Sequence, residues 1–294
     1  MQHGGISRRS VVAGLGWGAV AVGTGCVTTD GPGGGERIAV PTGVVILHGK
    51  EGNPAAFDSN IRPLANALQS IGCRVAQPEM PWARQRYMRA TYEAGQAEIS
   101  GVIDDLRKNG AVRIIVSGIS LGANAALAYA ARSGGVDGLM LFSLGLWPEH
   151  MVNRAEYAQA ALEARRMIAA GRGNEGGSWP DRNVDRVFRA STSASIWYSY
   201  HNPVGTAAVE PNFARLPDDL PLFVAAARSD QPDAGRTEAL FNRRGQQPPI
   251  SQFLMLSDAN HFNTPERTRT QAADWVKHLA ETWRTAPRPG APAV

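Results

Sequence analysis

"VRIIVSGISLGANAALAYAARSG", Val112 to Gly134, carries three signals in succession. The apolar run through Val116 reads as a short strand buried on both faces. Gly118-Ile119-Ser120-Leu121-Gly122 follows at once, and the Ala-rich stretch after it reads as a helix stopped at Gly134-Gly135. With 32 Gly in 294 residues, chance supplies a Gly-x-Ser-x-Gly readily, so the pattern draws its weight from position. A strand ends directly before it and a helix begins directly after. There a serine stands on a tight turn at a helix N-terminus, where unpaired N–H groups and the helix dipole favour a developing negative charge. Ser120 is the candidate nucleophile.

Outward from this stretch the same alternation repeats. "GVVILHG" (43–49) reads as a buried strand, with a helix expected from Asn53-Pro54 to about Ser70. "CRVAQPEMP" (73–81) reads as the next strand, and a helix is expected from about Ala94 to Lys108, closed by Asn109-Gly110. "VDGLMLFSL" (136–144), "PLFVAAARSD" (221–230) and "SQFLMLSDA" (251–259) are three further strands, with helices near 236–243 and 266–283 after the last two. Repeated strand–helix units predict an α/β fold, a mainly parallel sheet with helices on both faces. Residues from about 146 to 219 break the rhythm. They contain a helical stretch at 154–170, a loose loop at "GRGNEGGSWP" (171–180) and the aromatic cluster "SIWYSYHNP" (195–203), and read as a helical cap inserted after the strand that follows the nucleophile helix.

The order strand, Gly118-Ile119-Ser120-Leu121-Gly122, helix resembles the nucleophile elbow of the α/β-hydrolase superfamily. A serine hydroxyl needs a base, and the chain has six histidines. His3 lies in the leader, His48 shapes a loop at the end of a strand, His150 and His201 lie in the insertion, and His278 is mid-helix. His261, in "SDANHFNTP" (257–265), follows the last strand, at the sheet edge where open α/β sheets bind ligands. The resemblance places the base there and the acid in the first loop residues after the penultimate strand. That favours Asp230 over Asp233 and Asp258 and gives the order Ser120…Asp230…His261. It also implies two backbone N–H donors for an oxyanion: Leu121, the residue after the nucleophile, and Lys50, the residue after His48-Gly49, with Glu51 as the alternative.

Across Gly43 to the last helix the chain is most similar to small bacterial serine hydrolases related to dienelactone hydrolase. It departs from dienelactone hydrolases in carrying serine where they carry cysteine, and it leaves little room before Gly43 for the usual first antiparallel strands. The resemblance implies hydrolysis of a small-molecule carboxylic ester through an acyl-enzyme. An amidase, peptidase or thioesterase would use the same triad, and a non-catalytic envelope lipoprotein would use the same scaffold. No metal or organic cofactor is expected, since neither a metal-ligand cluster nor a nucleotide-binding glycine loop is present in the sequence. Trp147, Trp197, Tyr198, Tyr200 and His201, with Trp179 and Phe188, are candidates for the pocket lining, against plain packing of the cap on the core.

The charge balance is mild, +4 with scattered arginines, and gives no nucleic-acid footprint. Hydrophobic content of 43% is that of a globular chain. Residues 1–26 read as an export signal: Arg8-Arg9 precedes a short uncharged stretch that resembles a twin-arginine leader, and "GTGC" resembles a lipobox with Cys26 as the lipidated residue. The expected location is therefore periplasmic or lipid-anchored at the envelope. The other cysteine, Cys73, reads as a small buried hydrophobe rather than a disulfide partner of Cys26. Residues 27–42, with "GPGGG" (31–35), read as a tether, 43–286 as the hydrolase domain and 287–294 as a disordered tail.

Overall fold

A computed structural model describes residues 37–53, 58–245 and 247–285. The segment read as an export leader, Cys26, most of the segment read as a tether and the C-terminal residues lie outside the described residues. Strand β1 (Thr42–Leu47) leads to α1 (Arg62–Ser70), β2 (Arg74–Ala76), α2 (Tyr92–Lys108), β3 (Arg113–Ser120), α3 (Leu121–Arg132) and β4 (Gly138–Leu144). The insertion carries α4 (Pro148–Met151), α5 (Ala155–Ala169), β5 (Gly176–Asn183), β6 (Arg186–Ser193), α6 (Ala194–His201) and α7 (Val209–Phe213). The chain then returns through β7 (Leu222–Ala227), α8 (Asp233–Arg243), β8 (Gln252–Leu256), α9 (Thr264–Arg267) and α10 (Arg269–Thr285).

Six strands form one sheet in the order β2-β1-β3-β4-β7-β8, and every pairing is parallel. The central strands are buried on both faces, which is why their sequences read as continuous apolar runs rather than alternating ones. One face carries α1 and α10 on a core of Val44, Ile46, Phe142, Phe223 and Trp275. The other carries α2 and α3 on Val45, Val116, Leu139 and Leu141, and the same core extends into the insertion through Tyr157, Trp179 and Trp197. Helix α2 begins two residues earlier than its sequence suggests because the Thr91 side chain accepts from Ala94 N–H and caps it.

Three expectations need correction. The segment at 171–180 is not a loose loop: Gly176–Asn183 pairs antiparallel with Arg186–Ser193, so the cap is helices plus a β-hairpin. Ile38 N–H donates to Ile71 O, so the last residues of the segment read as tether belong to the packed domain. The second strand is also shorter than expected, three residues at the sheet edge. Cys73 is a free, buried thiol, and burial pushes its pKa up to about 12.

The strand order places the site. Between β1 and β3 the order reverses: the chain leaves β1 for the face that carries α1, and leaves β3 for the face that carries α3. The loops beyond their C-terminal ends diverge and open a crevice there. Residues 48–52 and Ser120 stand at that point.

Candidate active site

Ser120 closes β3 and is the residue before α3, with φ 55° and ψ −124°. A non-glycine residue in that region is strained and is held there only by its surroundings. The surroundings here are glycines. A Cβ on Gly118 would run into Gly122 O, and one on Gly122 into Leu47 O and His48 O, so the strand–turn–helix closes only with hydrogen at both positions. A Cβ on Gly145 would collide with Ser120 Oγ, and one on Gly49 would come within 3.2 Å of Ser120 Cβ. The serine thus sits in a slot cut by four glycines. Asn124, buried on α3, fixes one wall by donating to Leu146 O and accepting from Gly145 N–H at 3.3 Å.

His261 Nδ1 lies 2.6 Å from Asp230 Oδ2. The ring is buried, and among the described residues its Nε2 has no hydrogen-bond partner. Ser120, Asp230 and His261 line one hollow of about 500 Å³. The alternative acids are engaged elsewhere: Asp233 pairs with Arg236 at 2.7 Å in the first turn of α8, and exposed Asp258 faces Arg267 at 3.8 Å. The loop carrying His261 is anchored by Asn260 and Asn263, which cap each other's backbone, and by Thr264, whose hydroxyl meets Ser143 Oγ at 3.1 Å.

The loop after β1 is a tight turn. Gly52 N–H donates to Gly49 O at 3.0 Å, and Glu51 takes φ 53°. His48 holds this turn rather than a reacting group. Its Nδ1 bonds Gly49 O at 2.8 Å and its Nε2 accepts from Met80 N–H at 3.0 Å, a pattern that requires the neutral ring. Burial lowers the His48 pKa accordingly. Glu51 N–H is committed to Trp82 O at 2.8 Å, whereas the Lys50 amide meets no acceptor among the described residues. Leu121 is the first residue of α3, ahead of any intrahelical acceptor, and Lys50, Ser120 and Leu121 line the same hollow.

The predicted aromatic lining is largely corrected. Trp147 lines the 500 Å³ hollow, with the Arg236 guanidinium 5.9 Å from its ring. Trp197, Tyr200 and His201 are buried and line neither hollow. Their i, i+3, i+4 spacing puts them on one face of α6, and that face is packed: Trp197 stacks on Trp179 at 5.3 Å and on His201 at 4.4 Å. Tyr198 is partly buried against the same core, as is Phe188, and neither lines a hollow. Phe262, half-exposed beside His261, lines both hollows and was missed. The second hollow, about 660 Å³, shares Lys50, Ser120, Asn183 and Phe262 with the first and is walled mainly by polar residues such as Asn53, Asn60, Arg84 and Arg186. Among the described residues, no group of three or more His, Cys, Asp or Glu side chains is placed to hold a metal ion.

The sequence matches no family model and no curated protein. Solved structures do match. A structure of the metagenome-derived lipolytic enzymes LipS and LipT superposes with a TM-score of 0.58 at 17% identity, over 84% of this chain and 96% of that one. Est1E from Butyrivibrio proteoclasticus with ferulic acid gives 0.56 at 16%, over 84% and 90%. Dienelactone hydrolase from Anabaena variabilis gives 0.50 at 14%, over 83% and 88%. At these identities the likeness speaks for architecture, and with the parallel six-stranded sheet it is decisive: the chain has the α/β-hydrolase fold.

Proposed function

We propose that the protein is a serine hydrolase that cleaves a small-molecule carboxylic ester through an acyl-enzyme. The observation that carries this reading is the buried His261 ring, held by Asp230 at 2.6 Å with Nε2 unpartnered, in the same hollow as a serine held at φ 55°. In that arrangement His261 takes the Ser120 proton as Oγ attacks the ester carbonyl, and Asp230 holds the ring in the tautomer that leaves Nε2 free. The Lys50 and Leu121 amides donate to the oxygen that becomes negative. His261 then returns the proton to the leaving alkoxide, and a water, deprotonated by the same ring, releases the acid and restores Ser120. The relatives in architecture named as lipolytic, as esterases or as dienelactone hydrolase support ester chemistry. The two hollows meeting at Ser120 suit separate acyl and alcohol portions, and their polar walls favour a compact polar ester over a long-chain acyl lipid.

A fluorophosphonate probe tests the chemistry. It should label the wild type and not Ser120→Ala, and labelling that survives the substitution removes Ser120 as nucleophile. The same proposal places the enzyme at the cell envelope, from Arg8-Arg9, the apolar stretch after them and Cys26. Metabolic labelling with a palmitate analogue should tag the wild type and not Cys26→Ser; an untagged wild type rules out the lipid anchor.

A further inference from the structure

The cap hairpin grips the loop after β1 through polar contacts that the ester chemistry itself leaves unexplained. Asp181, on β5, is fully buried, and the Lys50 ammonium donates to its Oδ1 at 2.6 Å and to Arg182 O at 2.9 Å. Tyr87 OH donates to Oδ2, Arg182 N–H to Oδ1 at 2.7 Å, and His201 Nε2 stands 3.4 Å from Oδ1. Asn183, two residues on, donates to Lys50 O at 3.2 Å and to Glu51 Oε2 at 3.0 Å, and Arg186 pairs with the same oxygen. Trp197 Nε1 bonds Pro180 O at 2.9 Å and fixes the residue before Asp181. Withdrawing two charges from water costs several kcal/mol per ion, and hydrophobic residues of similar shape often serve stability as well or better. A buried Lys–Asp pair between a cap and a loop calls for a reason other than stability.

The loop supplies one. The Gly49–Lys50 peptide is held at its carbonyl end by His48 and Gly52, while the Lys50 side chain, anchored in the hairpin, holds the next Cα. Among the described residues, the Lys50 N–H is the group left without an acceptor. We propose that Asp181 is a positioning residue for the oxyanion site: by gripping the Lys50 side chain it fixes the Lys50 amide opposite Ser120, so that the cap hairpin sets the geometry of the catalytic loop. This rests on the serine-hydrolase reading above. The turn is held at Gly49 O, Lys50 O and Glu51 N–H but not at the Lys50 N–H itself, and an oxyanion donor is effective only when held to about 0.5 Å.

The test is kinetic. Asp181→Asn keeps the shape and removes the charge that holds Lys50. It should lower kcat on p-nitrophenyl acetate about 10- to 100-fold with KM changed less than about threefold, because the affected bond forms only in the transition state. Affinity for a boronic acid that forms a tetrahedral serine adduct should fall in parallel. The double variant Lys50→Met/Asp181→Leu removes both buried charges. It should unfold at a denaturant midpoint at or above that of Asp181→Asn yet keep the low kcat, since the anchor is still missing. Wild-type kcat in folded Asp181→Asn, or recovery of kcat together with stability in the double variant, overturns the proposal. Failure of the underlying reading is distinguishable, because it shows as absence of Ser120-dependent fluorophosphonate labelling in the wild type.

Discussion

At the scale of single residues, the site is built by what is left out. Gly118 and Gly122 let the strand and helix meet, and Gly49 and Gly145 leave Ser120 Oγ its space. Gly145 separates function from folding. Its backbone lies outside the left-handed region, so alanine fits its conformation, yet the new Cβ would meet Ser120 Oγ. Gly145→Ala should therefore depress kcat/KM by about 100-fold, the scale expected for roughly 1 Å of misplacement. The urea midpoint should stay within the change expected from about 1 kcal/mol, because the nearest obstruction is a rotatable hydroxyl and Ser120 Cα and Cβ, at 3.1 Å, need give way by only a few tenths of an ångström. Gly122→Ala contrasts with it. There the obstruction is the backbone carbonyl of Leu47, and the cost should fall on stability, about 1–3 kcal/mol in the same unfolding assay.

At the scale of elements, what was legible in the sequence followed from periodicity. Strands β1, β3, β4 and β7 show as apolar runs because both their faces are covered, and the elbow shows because strand, glycines and helix adjoin in sequence. The pairing of Asp230 with His261 was legible through chain order, each standing in the loop after a strand. The hairpin was not. "GGSWPDRN" opens on two glycines and contains a proline, residues that disfavour strands, and it pairs through the cap rather than through alternation of its own. Asp181 was invisible for a related reason: its partner Lys50 is 131 residues away, and nothing local marks a carboxylate as buried. For α6 the packing alternative had a signal in the sequence, since Trp197, Tyr200 and His201 fall on one helical face, the face that enters a core. Trp197→Ala should accordingly act on stability, costing about 3–5 kcal/mol by chemical denaturation, while KM for small esters stays near wild type.

For the molecule as a whole, the junction at the reversal of strand order couples folding to pH. His48 joins β1 to the turn at 49–52 and to the segment after β2, and it does so as a neutral ring: Nδ1–H donates to Gly49 O while Nε2 accepts from Met80 N–H. Protonation would set a donor against that N–H, and desolvation by burial already lowers the ring's pKa. The unfolded chain has an ordinary histidine near pH 6.5. Between that value and the lower folded one, the unfolded state binds more protons, so stability rises with pH across the window. The His48 contribution is therefore complete above about pH 6.5 and is lost progressively as the pH falls toward the folded value. Within the window the slope reaches at most about 1.4 kcal/mol per pH unit. His48→Gln keeps an acceptor for Met80 and removes the titration. Urea unfolding at pH 7.5 and pH 5.0 should show a smaller loss of stability on acidification in His48→Gln than in the wild type, even though the variant is less stable at pH 7.5. Equal losses in the two proteins would mean that His48 does not carry the acid sensitivity of the fold.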